Sequence, residues 1–447
     1  MKILKNEYFI ISIMFGLSAV LLGHYFKNDY IIFYSIVLFI FSFLAIVLFF
    51  YKDDYFFLNS KIGILYLILL FGLVLTSLNS FIFIEVTKQP LYSFATSFSR
   101  LWIMPLTVIL FYGIISSRKD IKLVIGIYCI AFILSTLPLI YQQIYGQLDA
   151  FPVIYNATRY GVPGYSTFTG SITSFGIIIP SVIFLIVFVL RFNPLVSAIL
   201  IALISAGAVS TMSKAALLNV ILSLAVISIF FYKNNIWKIL LYLLSLSLIG
   251  LAFSNKIYQA FTHLFANTFG VEITSNTISH GMYMPLYQRI IRRVTADGLG
   301  GVSVWEALEQ YSIYRQLFGS GVAGSGGAVG FLAGHEDLKV LTLRDAPFSQ
   351  WQPMNTTHNS FTDFLQMGGL VLFFGVIMLI FAVLIKLFKL YIKDNDQIAL
   401  ALFLSCLLIF VNMSTFNGAI FHAYISFPFW IAVLYVCNYK NLSINKA

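Results

Sequence analysis

The chain has 447 residues, of which 60% are hydrophobic and 10% charged, with a formal charge of +10 and a mean hydropathy of +0.92. Soluble globular proteins run at about 45–50% apolar and about 25% charged residues, so a water-facing surface cannot be assembled from this composition and a soluble enzyme with a single anchor is excluded. In a membrane protein the basic excess must be sorted by side before it can name a partner, and nucleic acid drops out as one.

A spanning helix needs about 20 mostly apolar residues. Twelve candidate segments meet this: 8–24, 30–51, 62–85, 100–116, 121–141, 171–190, 195–211, 214–232, 236–253, 360–385, 396–413 and 417–437. The opening MKILKNEYFIISIMFGLSAVLLG has the basic flank and apolar core of a signal peptide. Its core is long, no small-x-small cleavage site follows and another span comes directly after, so it reads as the first span. With the N-terminus inside, fifteen Lys and Arg fall at inner ends and loops and five in short outer segments, and seven lie in one long loop. That bias places both termini in the cytoplasm. The expected fold is therefore all-α and polytopic: spans 1 to 9 within residues 1–253, a large, partly helical outer loop over 254–359, and spans 10 to 12 within 360–447.

Several residues stand out along this order. Arg159 lies in the outer segment YNATRYGVPGYSTFTGS. Lys214 opens the apolar eighth segment, where an ionisable group either serves a function or snorkels to the interface. Within the long loop, Arg289, Arg292, Arg293 and Arg315 cluster around apolar residues; guanidinium is the preferred fork for phosphate, although such cations also solvate loops or touch lipid head groups. Trp305, Leu308, Tyr311, Ile313 and Leu317 recur at near-helical spacing and predict a short amphipathic helix. The glycine-rich run 319–330 lacks the Lys-Ser/Thr ending of a phosphate loop and reads as a closely packed or flexible turn. His335, Glu336 and Asp337 are adjacent rather than on one helical face, which disfavours a metal site, and Cys129, Cys406 and Cys437 form neither a disulfide framework nor a zinc spacing. His358 stands where polar residues give way to the tenth span; the positive end of a helix dipole favours a neutral imidazole, hence a base.

Taken together, these segments resemble the O-antigen polymerase and O-antigen ligase superfamily of bacterial membrane glycosyltransferases. The likeness rests on His358 and Asn359 followed by Phe361, Phe364, Leu365, Gly368 and Gly369; on the run from Trp305 to Leu317 leading into Gly319 and Gly321; on Arg159 with Gly161; and on Ser213-Lys214, where the family commonly has Ser-Arg. Lysine in place of arginine keeps the charge and loses bidentate geometry. The arginine often found just ahead of the tryptophan helix is also missing, which leaves Arg292 or Arg293 to supply it from upstream.

The resemblance implies an enzyme of the bacterial inner membrane that works at the periplasmic face without cofactor or metal. Its donor and acceptor would be oligosaccharides linked to undecaprenyl diphosphate, with membrane lipid and a chain-length regulator among its partners. Arg159 and His358 would be catalytic, and Lys214, Arg289, Arg292, Arg293 and Arg315 would bind the diphosphate. Polymerase and ligase share this mechanism. The 45 Phe and 26 Tyr, together with abundant Ile, Lys and Asn, suggest the AT-rich genes common in antigen clusters and favour the polymerase. A polysaccharide flippase is the alternative of a different class, although the two halves of the sequence lack the matching breaks of inverted repeats.

Overall fold

The computed structural model describes residues 60–87, 91–115, 117–148, 158–159, 162–163, 165, 167–168, 172–211, 213–231, 237, 239–244, 313–319, 321, 360–413, 423–439 and 442. These are mostly helical, and they fall into two compact units. Among them, Lys61–Phe81, Arg118–Tyr145 and Met367–Asp394 are each long and apolar enough to cross a membrane. The expected spans at 8–24 and 30–51 lie outside the described residues.

One unit contains helices α1 (Lys61–Thr87) and α2 (Leu91–Ile114), a short α7 (Ile313–Phe318), α8 (Ser360–Asp394) and α10 (Ala423–Cys437). Helix α1 starts where the Ser60 hydroxyl accepts the Gly63 N–H at 2.9 Å, an N-cap that satisfies one orphan donor. Helix α2 begins about nine residues ahead of the expected span, so its polar first turns extend a helix that hydropathy alone starts at 100. Helices α1 and α8 run antiparallel. Gly72 faces the Leu372 backbone and Gly375 faces that of Leu69, so each helix offers a glycine where the other's backbone comes closest. Without a hydrophobic force between helices in lipid, such close approach and interhelical hydrogen bonds supply the adhesion. Tyr66 donates its hydroxyl to the Pro105 carbonyl and meets Trp430 edge-on at 6.4 Å, joining α1, α2 and α10 in a buried core. The ends of α2 and α10 are tied by Asn438, which donates to the Ile115 carbonyl at 3.0 Å.

The other unit contains α3 (Arg118–Tyr145), the two-residue strands β1 (Thr158–Arg159) and β2 (Val162–Pro163), α4 (Ile172–Phe184), α5 (Pro194–Ser210) and α6 (Lys214–Phe231). Gly146 ends α3 in a left-handed conformation (φ 94°), its N–H bonded to the Gln142 carbonyl. Helix α4 widens into a π-helical turn over Leu185–Leu190, which Arg191 closes at φ 50°. Asn193 caps α5, with Pro194 in the first turn. Asp396 caps α9 (Gln397–Met413), accepting from the Ile398 and Ala399 N–H groups.

The exposed faces are apolar. Along α1, Ile64, Ile68, Phe71, Val74, Leu78 and Phe81 are exposed at three- and four-residue spacing, and Phe374, Met378, Phe381, Ile385, Phe388 and Ile392 repeat the pattern on α8. A stripe of this kind suits lipid rather than water. Helix α8 runs nine residues past its expected end because Leu387 and Leu390 remain buried while Lys386, Lys389 and Lys393 turn outward, making the last turns amphipathic.

Candidate functional site

The most unusual backbone in the described chain lies at the start of α8. Gly369 interrupts the helix at φ 60°, ψ −160°, a conformation open essentially to glycine alone. Sequence reading places Gly368 and Gly369 in a motif but predicts one continuous span, and it cannot show the break. The break frees backbone groups at buried residues, and these must find partners inside the protein. The carbonyl of Met367, which would bond the residue four places on in an unbroken helix, instead accepts the Gly321 N–H at 2.8 Å.

Helix α7 and its glycine turn fill the notch. Gly319 (φ 71°) lies against the Met367 carbonyl and the Gly368 nitrogen, and Gly369 against the Leu317 carbonyl and Phe318 nitrogen, in both cases so closely that a Cβ would overlap backbone. Gly321 lies on Ser80 of α1, and a Cβ on Gly368 would meet the Thr76 hydroxyl and the Leu372 side chain. The two strongest motifs of the sequence, the run ending at Gly319-x-Gly321 and the one that passes through Gly368-Gly369, are thus a single packed junction.

Of the amphipathic helix expected over 305–317, only the end from Ile313 is described: Ile313 and Leu317 are exposed, and Trp305, Leu308 and Tyr311 lie outside the described residues. This end attaches through its backbone and through Asn79 of α1. The buried Asn79 donates from Nδ2 to the Phe318 carbonyl at 2.8 Å, reaches that of Gly319 at 3.4 Å, and accepts the Tyr314 hydroxyl at 2.5 Å. Two residues before it on α1, Ser77 accepts the Trp102 indole N–H at 2.8 Å. Sequence reasoning missed Thr76, Ser77, Asn79 and Ser80. Their spacing, TSLNS within an apolar run, is a polar patch on one end of a spanning helix and was the available signal.

In the other unit, Arg159 sits on β1, paired with Val162 of the antiparallel β2. The chain beyond it is pinned at Tyr165, whose N–H bonds the Ser210 carbonyl at 3.1 Å, and at Thr167, whose hydroxyl donates to the Ser135 carbonyl at 2.5 Å. Ser210 ends α5, so the segment that carries Arg159 is tied beside the α5–α6 turn. Lys214 is the first residue of α6. The turn before it is a relay: Thr211 donates to the Ala208 carbonyl and accepts the Ser213 N–H, and the Ser213 hydroxyl accepts the Ala216 N–H at 3.4 Å. The first turns of α4 and α6 cross at Gly176, where a Cβ would meet Ala216 at 2.9 Å, and Asn219 donates to the Gly176 carbonyl at 2.9 Å.

Arg315 belongs to α7 by its backbone; the side chains of Arg159, Lys214 and Arg315 lie outside the described portion, as do residues Arg289, Arg292, Arg293 and His358 entirely. Phe361 on the first turn of α8 is half-buried, and Phe364 and Leu365 are buried. Comparison with protein-family models, with curated proteins and with solved structures finds no match.

Proposed function

We propose that the protein is a polysaccharide polymerase of the bacterial inner membrane. In this reading it has twelve spans, cytoplasmic termini and the 254–359 loop in the periplasm, and it joins repeat units carried on undecaprenyl diphosphate. The observation that carries the reading is the docking of the Gly319-x-Gly321 turn into the Gly369 break. The glycine ends of two motifs that the resemblance treats as parts of one machine are folded onto each other, and in a membrane protein irregular backbone is tolerated where protein buries it or where it lines a water-filled cavity.

The chemistry balances without added energy. The acceptor hydroxyl attacks the anomeric carbon of the donor from the face opposite the diphosphate. The new C–O bond forms as the bond to the phosphate oxygen breaks, inverting that centre. His358 takes the hydroxyl proton. Undecaprenyl diphosphate departs with the electron pair, its charge stabilised by Arg159, Lys214 and the loop arginines Arg289, Arg292, Arg293 and Arg315. A second observation supports the role of Lys214: it opens α6, where the helix dipole is already positive. A cation there is unfavourable by itself and is relieved by a bound anion.

The test is incubation of the purified protein with lipid-linked repeat units in detergent, with and without EDTA. Polymer that persists under chelation and vanishes in His358→Ala and Arg159→Ala is the expected result. Normal polymer from either variant removes that residue, and loss on chelation removes the metal-free mechanism. The break in α8 also favours a second reading, since transporters use broken helices. A flippase moves lipid-linked units across liposomes without forming a glycosidic bond, and a ligase delivers the glycan to lipid A core or protein, so the product decides among the three.

A further inference from the structure

We propose that Asn79 is a positioning residue that holds the glycine turn of residues 319–321 in the break of α8 and thereby fixes the end of the segment that begins at His358. The docking rests on geometry alone; its consequence for chemistry rests on the glycosyl-transfer reading.

The described part of α7 is six residues long, and within it Ile313 and Leu317 are exposed. Among the described residues it is held by the Gly321 N–H on the Met367 carbonyl, by the close backbone contacts at Gly319 and Gly369, and by Asn79. Asn79 is 2% exposed and uses both ends of its carboxamide: Nδ2 takes carbonyls left open at the end of α7, and Oδ1 takes the Tyr314 hydroxyl. Only a side chain with a donor at one end and an acceptor at the other serves both. Met367, on which the turn closes, lies nine residues after His358 in the chain. A shift of about 1 Å in a reacting group costs about 10²-fold in rate, so a catalytic group at position 358 depends on where this first piece of α8 is clamped.

Asn79→Leu keeps the approximate volume and removes both ends of the carboxamide, whereas Tyr314→Phe removes only the group that Oδ1 accepts.

Docking is read first, without activity. In a chain with Cys129, Cys406 and Cys437 replaced by alanine, Ser320→Cys reports the turn by its labelling rate with a membrane-impermeant maleimide. Relative to the same chain with Asn79, Asn79→Leu is expected to label about tenfold faster, the factor a lost buried hydrogen bond brings. Tyr314→Phe, which loses only the Oδ1 partner at a half-exposed residue, changes labelling about twofold. A ratio near one for Asn79→Leu overturns the proposal. The same variants are then assayed with lipid-linked repeat units. The expectation is a kcat about 10²-fold lower for Asn79→Leu, with KM little changed, and a kcat within a few-fold of wild type for Tyr314→Phe. A change in KM alone overturns the positioning role. A wild-type protein that makes no polymer, with the labelling shift intact, sinks the enzymatic reading while the docking role stands.

Discussion

Two junctions in this molecule use the same pair of residue types to different ends. At the crossing of α4 and α6, Gly176 lets Ala216 approach and Asn219 ties across to the Gly176 carbonyl. At the junction of α1, α7 and α8, glycines let backbones touch and Asn79 ties across to the Phe318 carbonyl. The first leaves both helices regular. The second has glycines at positive φ and breaks α8 at Gly369. Asparagine and glycine on one helix therefore make a tight pair, whereas the same residues beside a positive-φ glycine make a notch into which another segment fits. The regular crossing supports the start of α6, where Lys214 stands; the broken one fixes the segment that follows His358.

The largest effect is expected at Gly369. Its conformation excludes a Cβ on backbone grounds, and the Leu317 carbonyl occupies the space. Gly369→Ala is expected to cost about 3 kcal/mol or more, from a strained backbone together with overpacking, seen as a large fall in the unfolding temperature in detergent and loss of polymer. Unchanged stability would show that α8 is unbroken. Next is Gly176→Val. Here φ is helical and only space is at stake, so the cost is about 1–3 kcal/mol. If Gly176→Val destabilises as much as Gly369→Ala, the distinction between a close crossing and a notch fails.

Asn219→Leu sharpens the comparison further. Interhelical hydrogen bonds within membranes average about 0.6 kcal/mol and reach about 1.7, so the variant is expected to lower stability by no more than that. Asn219 serves a carbonyl that already has its own place in α4. At Asn79 the carbonyl at the end of α7 depends on the side chain, and the same substitution removes the anchor of a whole segment.

How far these junctions were legible in the sequence differs by the kind of signal. Apolar length locates most of the described helices, because α1, α3, α4, α5, α6, α8 and α9 coincide with hydrophobic runs to within a few residues at most of their ends. Gly319, Gly321, Gly368 and Gly369 stood out as motif residues, yet nothing local says that two glycine pairs 49 residues apart face each other. Asn79 gave no such sign: a polar residue in a span reads as a mild interruption until its partner 239 residues away is known. Nor does apolar periodicity foretell how the described end of α7 attaches, since backbone groups and one amide hold it to α1 and α8.

The smallest effect is expected at Ser213, on the regular side of the comparison. Its hydroxyl accepts the Ala216 N–H at 3.4 Å, a long bond for an N-cap, and Thr211 already holds the Ser213 N–H. Ser213→Ala should therefore cost only about 0.5 kcal/mol, the low end for a lost cap. Ser213 is buried, and Gly176 on Ala216 and Asn219 on the Gly176 carbonyl fix the α6 start from the other side. If Lys214 is placed by that crossing, Ser213→Ala leaves the rate of polymer formation within about twofold, while Gly176→Val lowers it in proportion to the damage at the crossing. A large loss of rate in Ser213→Ala without loss of stability would instead put the serine hydroxyl itself on the diphosphate, and the α6 start would then act through its cap rather than through the packing beneath it.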